Sequence, residues 1–547
     1  MYRQFALILF GLSLVSAAVA QPVIRSSTPV LNSASYIGPE LVGSGAGIAQ
    51  GSIFALFGSG FGDPDSSSEA TTFPLPTTLG GVSVQITVAG TTTKAIMLNV
   101  FYGGQINAIL PSATPVGTGT IAVSYGSQTS APAPIVVVPN SLGIYAANSQ
   151  GLGEAAATDP KYNKNSIINT FHPGDTAILW GTGLGRVTWD ETADPATVGN
   201  FSSSLPVTTQ VYVGNAPAVT GYHGRSGCCS GLDEIVFTVP SGVQGCYVPV
   251  SVQAGAVMSN FTTIAVANSG NTCADSIMGQ DVIASLAAGN TVNFGWIQLN
   301  TAYNGDFASA TFSQYTPATA TLASYGVSSG YCMATEFTLD GPFPNDLSLP
   351  YLDAGAALRV SGPTGTFPVQ QQPYPPGDYY ALLGSGTTRV LWAGMTFTAS
   401  NGATGGAQVG PFSASVMVPP LASKFINFEE NSSVPRSSNL TLNWDASAFG
   451  DPNGTATLGG YSAILNSTGV LQSYAQFYCT VPVAPGQFAI PAQVLSFLPP
   501  SSYTANGYAN GGLWFFQYAS PASFTAPGLD KGIMTAGTWS LTGVGFK

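Results

Sequence analysis

The chemistry open to this chain is narrow, because reactive side chains are scarce. Its 547 residues include 13 Lys or Arg, 25 Asp or Glu and two His. Gly326 to Gly330, GVSSG, has the G-x-S-x-G spacing of a nucleophile elbow with Ser328 as the serine. An elbow needs a helix behind the serine and a histidine base beside it. The residues that follow, YCMATEFTLDG, read as strand and turn, and His172 and His223 belong to an earlier part of the chain. With 66 glycines in the sequence, such a run arises by chance. Glycoside hydrolysis asks instead for two carboxyl groups, one kept protonated and one ionised. Glu336, Asp340, Asp346, Asp353, Glu429 and Glu430 are scattered over the C-terminal half, and no spacing singles out a pair, so Glu336 is merely the first candidate.

Binding chemistry has more to work with. DPDSSSE (Asp63 to Glu69) and WDETAD (Trp189 to Asp194) gather carboxylates and hydroxyls at corresponding places, where a calcium ion could find oxygen ligands. Asp and Ser are also ordinary turn residues, and solvated loop tips are the expected reading. Zinc would need CxxC-type spacing with histidines, which the chain lacks. No cofactor is expected. Aromatic residues make up 11% of the chain, with clusters at QQQPYPPGDYY (Gln370 to Tyr380) and GYANGGLWFFQY (Gly507 to Tyr518). Most should fill cores. Exposed members, Tyr374 and Tyr379 among them, could stack on sugar rings.

Six cysteines suggest disulfides, with 15 possible pairings. Cys228 and Cys229 are neighbours, and Cα atoms about 3.8 Å apart are closer than a bridge usually spans, so they are expected to bond elsewhere. Cys246 and Cys273 are their nearest candidates, and Cys332 with Cys479 would staple the C-terminal half.

The elements that must position these residues are strands. GSIFALFGSGFG (Gly51 to Gly62) returns 123 residues later as GDTAILWGTGLG (Gly174 to Gly185). Each copy runs from a glycine through alternating apolar residues to an aromatic, Phe57 or Trp180, and closes on a glycine turn. Leu75-Pro76 answers Leu205-Pro206, and QINAILP (Gln105 to Pro111) answers EIVFTVP (Glu234 to Pro240). Landmarks in the same order at nearly constant offset mark an internal duplication. In VSVQITV, Val82, Val84, Ile86 and Val88 alternate with polar residues, as in a strand with one buried face. PAQVLSFLP (Pro491 to Pro499) reads as one or two helical turns.

Repeated units with a G-S-G-F-G turn resemble the IPT/TIG family of extracellular Ig-like sandwiches. VLNSASY, GSIFALFGSGFG, LPTTLGGVSV, GGQINAILP, GIYAANSQGLG, HPGDTAILWGTGLG and GCYVPVSVQAG more closely resemble the uncharacterised C-terminal domain family described in Solibacter-type soil bacteria. The resemblance covers about Pro29 to Asn268 and implies an exported protein with an Ig-like fold and no established activity. Here the module stands near the N-terminus, so a C-terminal sorting role does not carry over.

Composition agrees. Only 7% of residues are charged, and the net charge of −12 repels nucleic acid and anionic lipid. Residues 1–20 hold Arg3, an apolar run and Ala18-Val19-Ala20, as in a cleaved signal peptide. No later apolar run is long enough for a membrane helix. The expected plan is all-β: Ig-like (IPT/TIG-like) sandwiches at 21–139 and 140–270, the second with a cysteine-containing loop, then one or two further β-sandwich or jelly-roll-like domains, at 275–419 and 421–547 if they are two. The leading expectation is an exported, non-enzymatic surface protein with an adhesion, structural or binding role and a surface protein as partner. The alternative is a polysaccharide-binding or polysaccharide-degrading protein with its site in the C-terminal half, recognisable by exposed aromatics in a shared plane or a cleft with two carboxylates.

Overall fold

Alternation of apolar and polar residues makes strands, and this chain folds into little else. A computed structural model describes residues 21–37, 47–199, 201, 203–302, 305–320, 326–338, 349–373, 377–386, 388–421, 424–449, 454–465, 469–502 and 510–547. The expected signal peptide, Asp340, Asp346 and Tyr374 lie outside the described residues.

The duplication reaches down to strand register. Strand β1 (Ile53–Ser59) pairs antiparallel with β2 (Gln105–Ile109), and β3 (Thr176–Thr182) pairs the same way with β4 (Asp233–Thr238). Phe57 faces Gln105 in the first unit and Trp180 faces Glu234 in the second. The turn glycine that follows takes a left-handed φ in both, 68° at Gly60 and 120° at Gly183. At Gly183 a β-carbon would run into the Ser141 carbonyl, so only glycine fits. In the first sandwich Val82, Val84, Ile86 and Val88 are fully buried against Phe54 and Leu56. The second wraps one continuous sheet around Val211, Ile235, Phe237 and Val250.

The two units are clamped together. Arg225, from the cysteine-containing loop region, is buried in an ion pair with Asp233. Its other terminal nitrogen donates to the Gly51 carbonyl of the first sandwich at 2.7 Å and to the Gly185 carbonyl at 2.6 Å. The free oxygen of Asp233 accepts from the Leu184 amide at 2.7 Å. Glu191 reaches across to accept from the Ser112 amide and hydroxyl at 2.7 and 2.9 Å. Every charge entering the joint is therefore ion-paired or hydrogen-bonded, which is the condition for burying it.

The C-terminal half is built on one long sheet. Its main strands are β5 (Val292–Ala302), β6 (Gly305–Tyr315), β7 (Tyr331–Thr338), β8 (Asp378–Ser385), β9 (Thr455–Leu465), β10 (Leu471–Pro482), β11 (Gly511–Tyr518) and β12 (Lys531–Phe546). They lie in the order β7-β10-β9-β11-β12-β5-β6-β8, and four further strands between Ala357 and Met417 continue the sheet. All neighbours are antiparallel except β12 and β5. The boundary expected at Pro419-Pro420 thus does not separate two sheets, because the last strand inserts beside β5, which precedes it by more than 200 residues. Two cores sit on the same side of this sheet, one around Leu458, Phe477 and Phe515, the other around Phe312, Tyr379 and Phe397. A helical turn at Ala492–Leu495 buries Val494 and Leu495 in the first of these. No helix among the described residues is long and apolar enough to cross a membrane.

Cys332 and Cys479 are register partners on β7 and β10 and are joined by a disulfide. Cys246 is bonded to Cys273, and both are buried beside the helix Gln280–Ala287. The expectation that Cys228 and Cys229 bond elsewhere is corrected, since the structure joins them to each other. They sit exposed on a loop, whereas Cys246 and Cys273, their nearest candidates, are buried and bonded to each other.

Arg225→Ala should cost about 3 to 5 kcal/mol in denaturant unfolding, since it leaves Asp233 buried without its partner. Glu154 gives a pH signature: it is buried, its Oε1 accepts no hydrogen bond, and burial pushes its carboxyl well above the ordinary 4.5. The folded form therefore holds a proton that the unfolded chain releases. This stabilisation is complete below pH 4.5 and lost as pH rises through the raised value. Glu154→Gln should raise the melting temperature near pH 7.5 and flatten its decline between pH 4.5 and 7.5.

Candidate functional site

A strand sends alternate side chains to opposite faces, so the core residues of the long sheet determine what its other face displays. Leu513 and Phe515 of β11 point inward, which turns Trp514, Phe516 and Tyr518 outward. On β9 and β10 the inward residues Leu458 and Phe477 put Tyr461 and Tyr474 on that same outer face. Across β12 and β5 the outer face continues through Gln298 and Asn300 to Phe307 of β6 and Tyr380 of β8.

Three of the rings on this face, Trp514, Tyr461 and Phe516, lie over glycines of neighbouring strands. Trp514 is the register partner of Gly459, and Tyr461 that of Gly512. A β-carbon on Gly512 would come within 2.7 Å of the Tyr461 ring. One on Gly459 would overlap the Trp514 ring, and one on Gly537 the Phe516 ring. Each ring therefore covers a bare glycine on the adjacent strand, an arrangement that restores packing the glycine lacks. Neighbouring rings continue the surface. Tyr461 and Tyr474 stack at 5.6 Å with planes 28° apart, Phe516 and Tyr518 lie 4.5 Å apart, and Phe307 and Tyr380 lie 5.9 Å apart at 32°.

From β10 to β8 the face crosses seven strands. Six spacings of about 4.8 Å make it roughly 30 Å wide. Tyr380 and Tyr518 are exposed, and the other rings are half-buried. Amides and hydroxyls of Gln476, Thr457, Gln298, Asn300 and Ser309 lie between them. Charge is confined to the ends, at Lys531, which is paired with Asp281 at 2.8 Å, and at Asp378, which accepts from the Thr311 hydroxyl. Burial, with the Tyr461 ring alongside, pushes the Tyr474 phenol up to about 12. Although its ring is exposed, the hydroxyl end of Tyr518, which bonds the Thr457 side chain, is buried enough to raise this phenol too. Both phenols stay neutral at physiological pH. Such a surface can stack on and hydrogen-bond a neutral, ring-built ligand.

The other residues singled out in the sequence have structural work. Ser328 is no elbow, since β7 and not a helix follows it. Its amide donates to the Tyr247 carbonyl and its hydroxyl accepts from the Tyr247 amide, both at 2.9 Å, which ties the long sheet to the second sandwich. The Asn215 carboxamide adds to this joint by bonding both backbone groups of Cys332 at 2.7 and 2.8 Å. His172 is held between Asp175 and the Gly270 carbonyl. Glu336 lies on β7 opposite Ala475, while Asp353 accepts from the Gly355 amide and Glu430 accepts from the Gly543 amide, so these last two carboxylates are tied to separate backbone sites. In the two acidic loops, Asp63, Asp190 and Asp194 each close their own turn while Glu191 faces the domain joint. No group of three metal-ligating side chains occurs among the described residues. A shallow hollow beside Trp189, Phe201 and Cys229 is backed by Glu191 and Arg225, whose polar atoms the joint already uses.

Tyr379 requires a correction as a sugar-stacking candidate. It is completely buried, and its hydroxyl donates to the Gly355 carbonyl at 2.7 Å. The accessible ring is its neighbour Tyr380, one residue and therefore one face away. Sequence reasoning found GGLWFFQY but missed Tyr461, Tyr474 and Phe307. The available signal was the glycine pair Gly459-Gly460 in a strand pattern, which marks close approach by something else.

The chain is thus an all-β protein of tandem Ig-like sandwiches continued by a larger β-sandwich region. No family model matches it, and no curated protein matches its sequence. Among solved structures it is similar to the SGBP-B of a Bacteroides ovatus mixed-linkage glucan utilization locus, in complex with a mixed-linkage heptasaccharide. That match has 11% identity over 78% of this chain and 92% of the other, with a TM-score of 0.14. SGBP-B from a complex xyloglucan utilization locus in Bacteroides uniformis matches at 11% identity over 91% and 98% of the two chains, with a TM-score of 0.15. Domains 5–6 of the S-layer protein SbsC match at 12% identity over 41% and 94%, with a TM-score of 0.16. Likeness at this level says nothing about ligands.

Ser328→Ala should lower stability by about 1 kcal/mol, the worth of one hydrogen bond, in denaturant unfolding. Hydrolysis of aryl esters should be at background for both proteins. Ester turnover lost in the variant would restore the elbow reading.

Proposed function

We propose that this chain is an exported, non-enzymatic binding protein that holds polysaccharide across the outer face of its long C-terminal sheet, with the two Ig-like sandwiches as a rigid mount. The observation that carries the reading is the set of rings, three of them lying over glycines, interleaved with amides and hydroxyls and free of charge. Sugar rings present a C–H face that packs on an aromatic plane, while their hydroxyls need donors and acceptors at the margin. A core needs its aromatics buried, whereas this face keeps its own at the surface. Export is supported by the leader-like residues 1–20, by the disulfides and by the resemblance of residues 29–268 to an exported family. A structural or adhesive role is the second reading, favoured by the buried, hydrogen-bonded joints on either side of the second sandwich.

The test is isothermal titration of residues 21–547 against a panel of soluble polysaccharides, with sugar release followed in parallel. Saturable binding without release is expected. Trp514→Ala and Tyr461→Ala should each weaken it about tenfold, or ~1.4 kcal/mol. Failure of every polysaccharide to bind would leave the structural reading, and released sugar would require a catalytic pair that the described carboxylates do not form.

A further inference from the structure

Resting on the polysaccharide reading, we propose that Gly512 and Gly537 determine specificity, by keeping the rings flat so that the face selects an extended, flat, uncharged glycan chain over a helical or an acidic one. Neither glycine touches the ligand; both are positioning residues. The argument begins with what a β-carbon would do at each site. At Gly512 its neighbours would be the Tyr461 ring and Leu541, and at Gly537 the Phe516 ring and Asn300. All of these are side-chain atoms, so an alanine would tilt a ring and leave the backbone in place. Gly459 differs, because there the Phe477 carbonyl also stands in the way and the sheet itself would have to move. Neither Gly512 nor Gly537 has a left-handed φ, so no turn or backbone strain requires glycine at either position. Room for a ring is what the structure shows glycine providing there.

Flatness matters because of how the rings are distributed. They run obliquely over the sheet, from Tyr474 on β10 through Tyr461, Trp514 and Phe516 to Phe307 and Tyr380 on β6 and β8. A ligand gains from all of them only if its own rings lie in one ribbon, as in an equatorially linked chain. A helical chain curves away after one or two contacts. The absence of charge along the strip gives a uronate chain no cation to meet, and the −12 net charge of the protein repels it.

The experiment compares cellohexaose, maltohexaose and hexagalacturonate by isothermal titration with the wild-type chain, Gly512→Ala, Gly537→Ala and Trp514→Ala, each checked by circular dichroism and melting temperature. Support would be wild-type binding of cellohexaose at least tenfold tighter than of the other two, with both alanine variants folded and at least tenfold weaker. The inference is overturned, while the polysaccharide reading survives, if maltohexaose or hexagalacturonate binds as well as cellohexaose. The same holds if the glycine variants bind normally while Trp514→Ala does not. Should a glycine variant fail to fold, Tyr461→Leu and Phe516→Leu, which keep the glycines and remove the planes, must lose the preference for cellohexaose. If none of the three sugars binds and the wider panel is also negative, the polysaccharide reading itself fails, and this inference with it.

Discussion

The parallel pairing of Lys531–Phe546 with Val292–Ala302 is the constraint on which the C-terminal half depends. Parallel neighbours cannot be joined by a tight turn, and this pair is closed only after the whole intervening chain has folded back. Closing so long a loop costs entropy that grows slowly with length, and burial on the core side offsets it. The result is one sheet where two might have formed. Phe477 and Phe515 at one end and Phe312 and Tyr379 at the other are buried on the same side, which leaves the rings on the opposite side, where the end at Val292, Phe294 and Ile533 is covered by the helix Gln280–Ala287. Two separate sandwiches would have interrupted that side.

That side is composed of residues that make poor sheet interiors and good surfaces. Glycine in a strand sacrifices roughly 0.5 to 1 kcal/mol relative to alanine. At Gly459, Gly512 and Gly537 the loss is offset by an aromatic ring lying over the exposed backbone. The rings are thereby held by the sheet itself and not by a loop, which limits the side-chain entropy that binding would take from them. On the proposed reading, stability and recognition rest on the same contacts.

The N-terminal sandwiches contribute by being unable to swing freely. Arg225 satisfies a carboxylate and two carbonyls at once, one of them in the neighbouring unit. Ser328 and Asn215 form the equivalent joint on the other side, using backbone groups of Tyr247 and Cys332. Joints built from buried, fully paired polar groups have geometric preferences that apolar contacts lack. A chain jointed in this way can present a sheet face in a defined direction from wherever its N-terminal end is held.

The duplicated strand motif, the alternating valines of Val82 to Val88 and the low charge were sufficient to specify all-β sandwiches, because a two-residue period and left-handed glycine turns are local properties. Pairing is not local. Nothing in the residues near Lys531 says that they lie beside Val292, so the boundary at Pro420 was drawn where a proline pair suggested it. The aromatic clusters were visible, but choosing between Tyr379 and Tyr380 depended on which face the sheet buries, and a step of one residue reverses it. The partner of each adjacent cysteine is likewise a matter of tertiary position, since Cys246 and Cys273 are bonded to each other in the buried core beside the helix. Local sequence thus decided the kind of structure and the stock of binding side chains. Long-range register alone decided that seven aromatic side chains share one face, because only pairing brings residues from five different strands together.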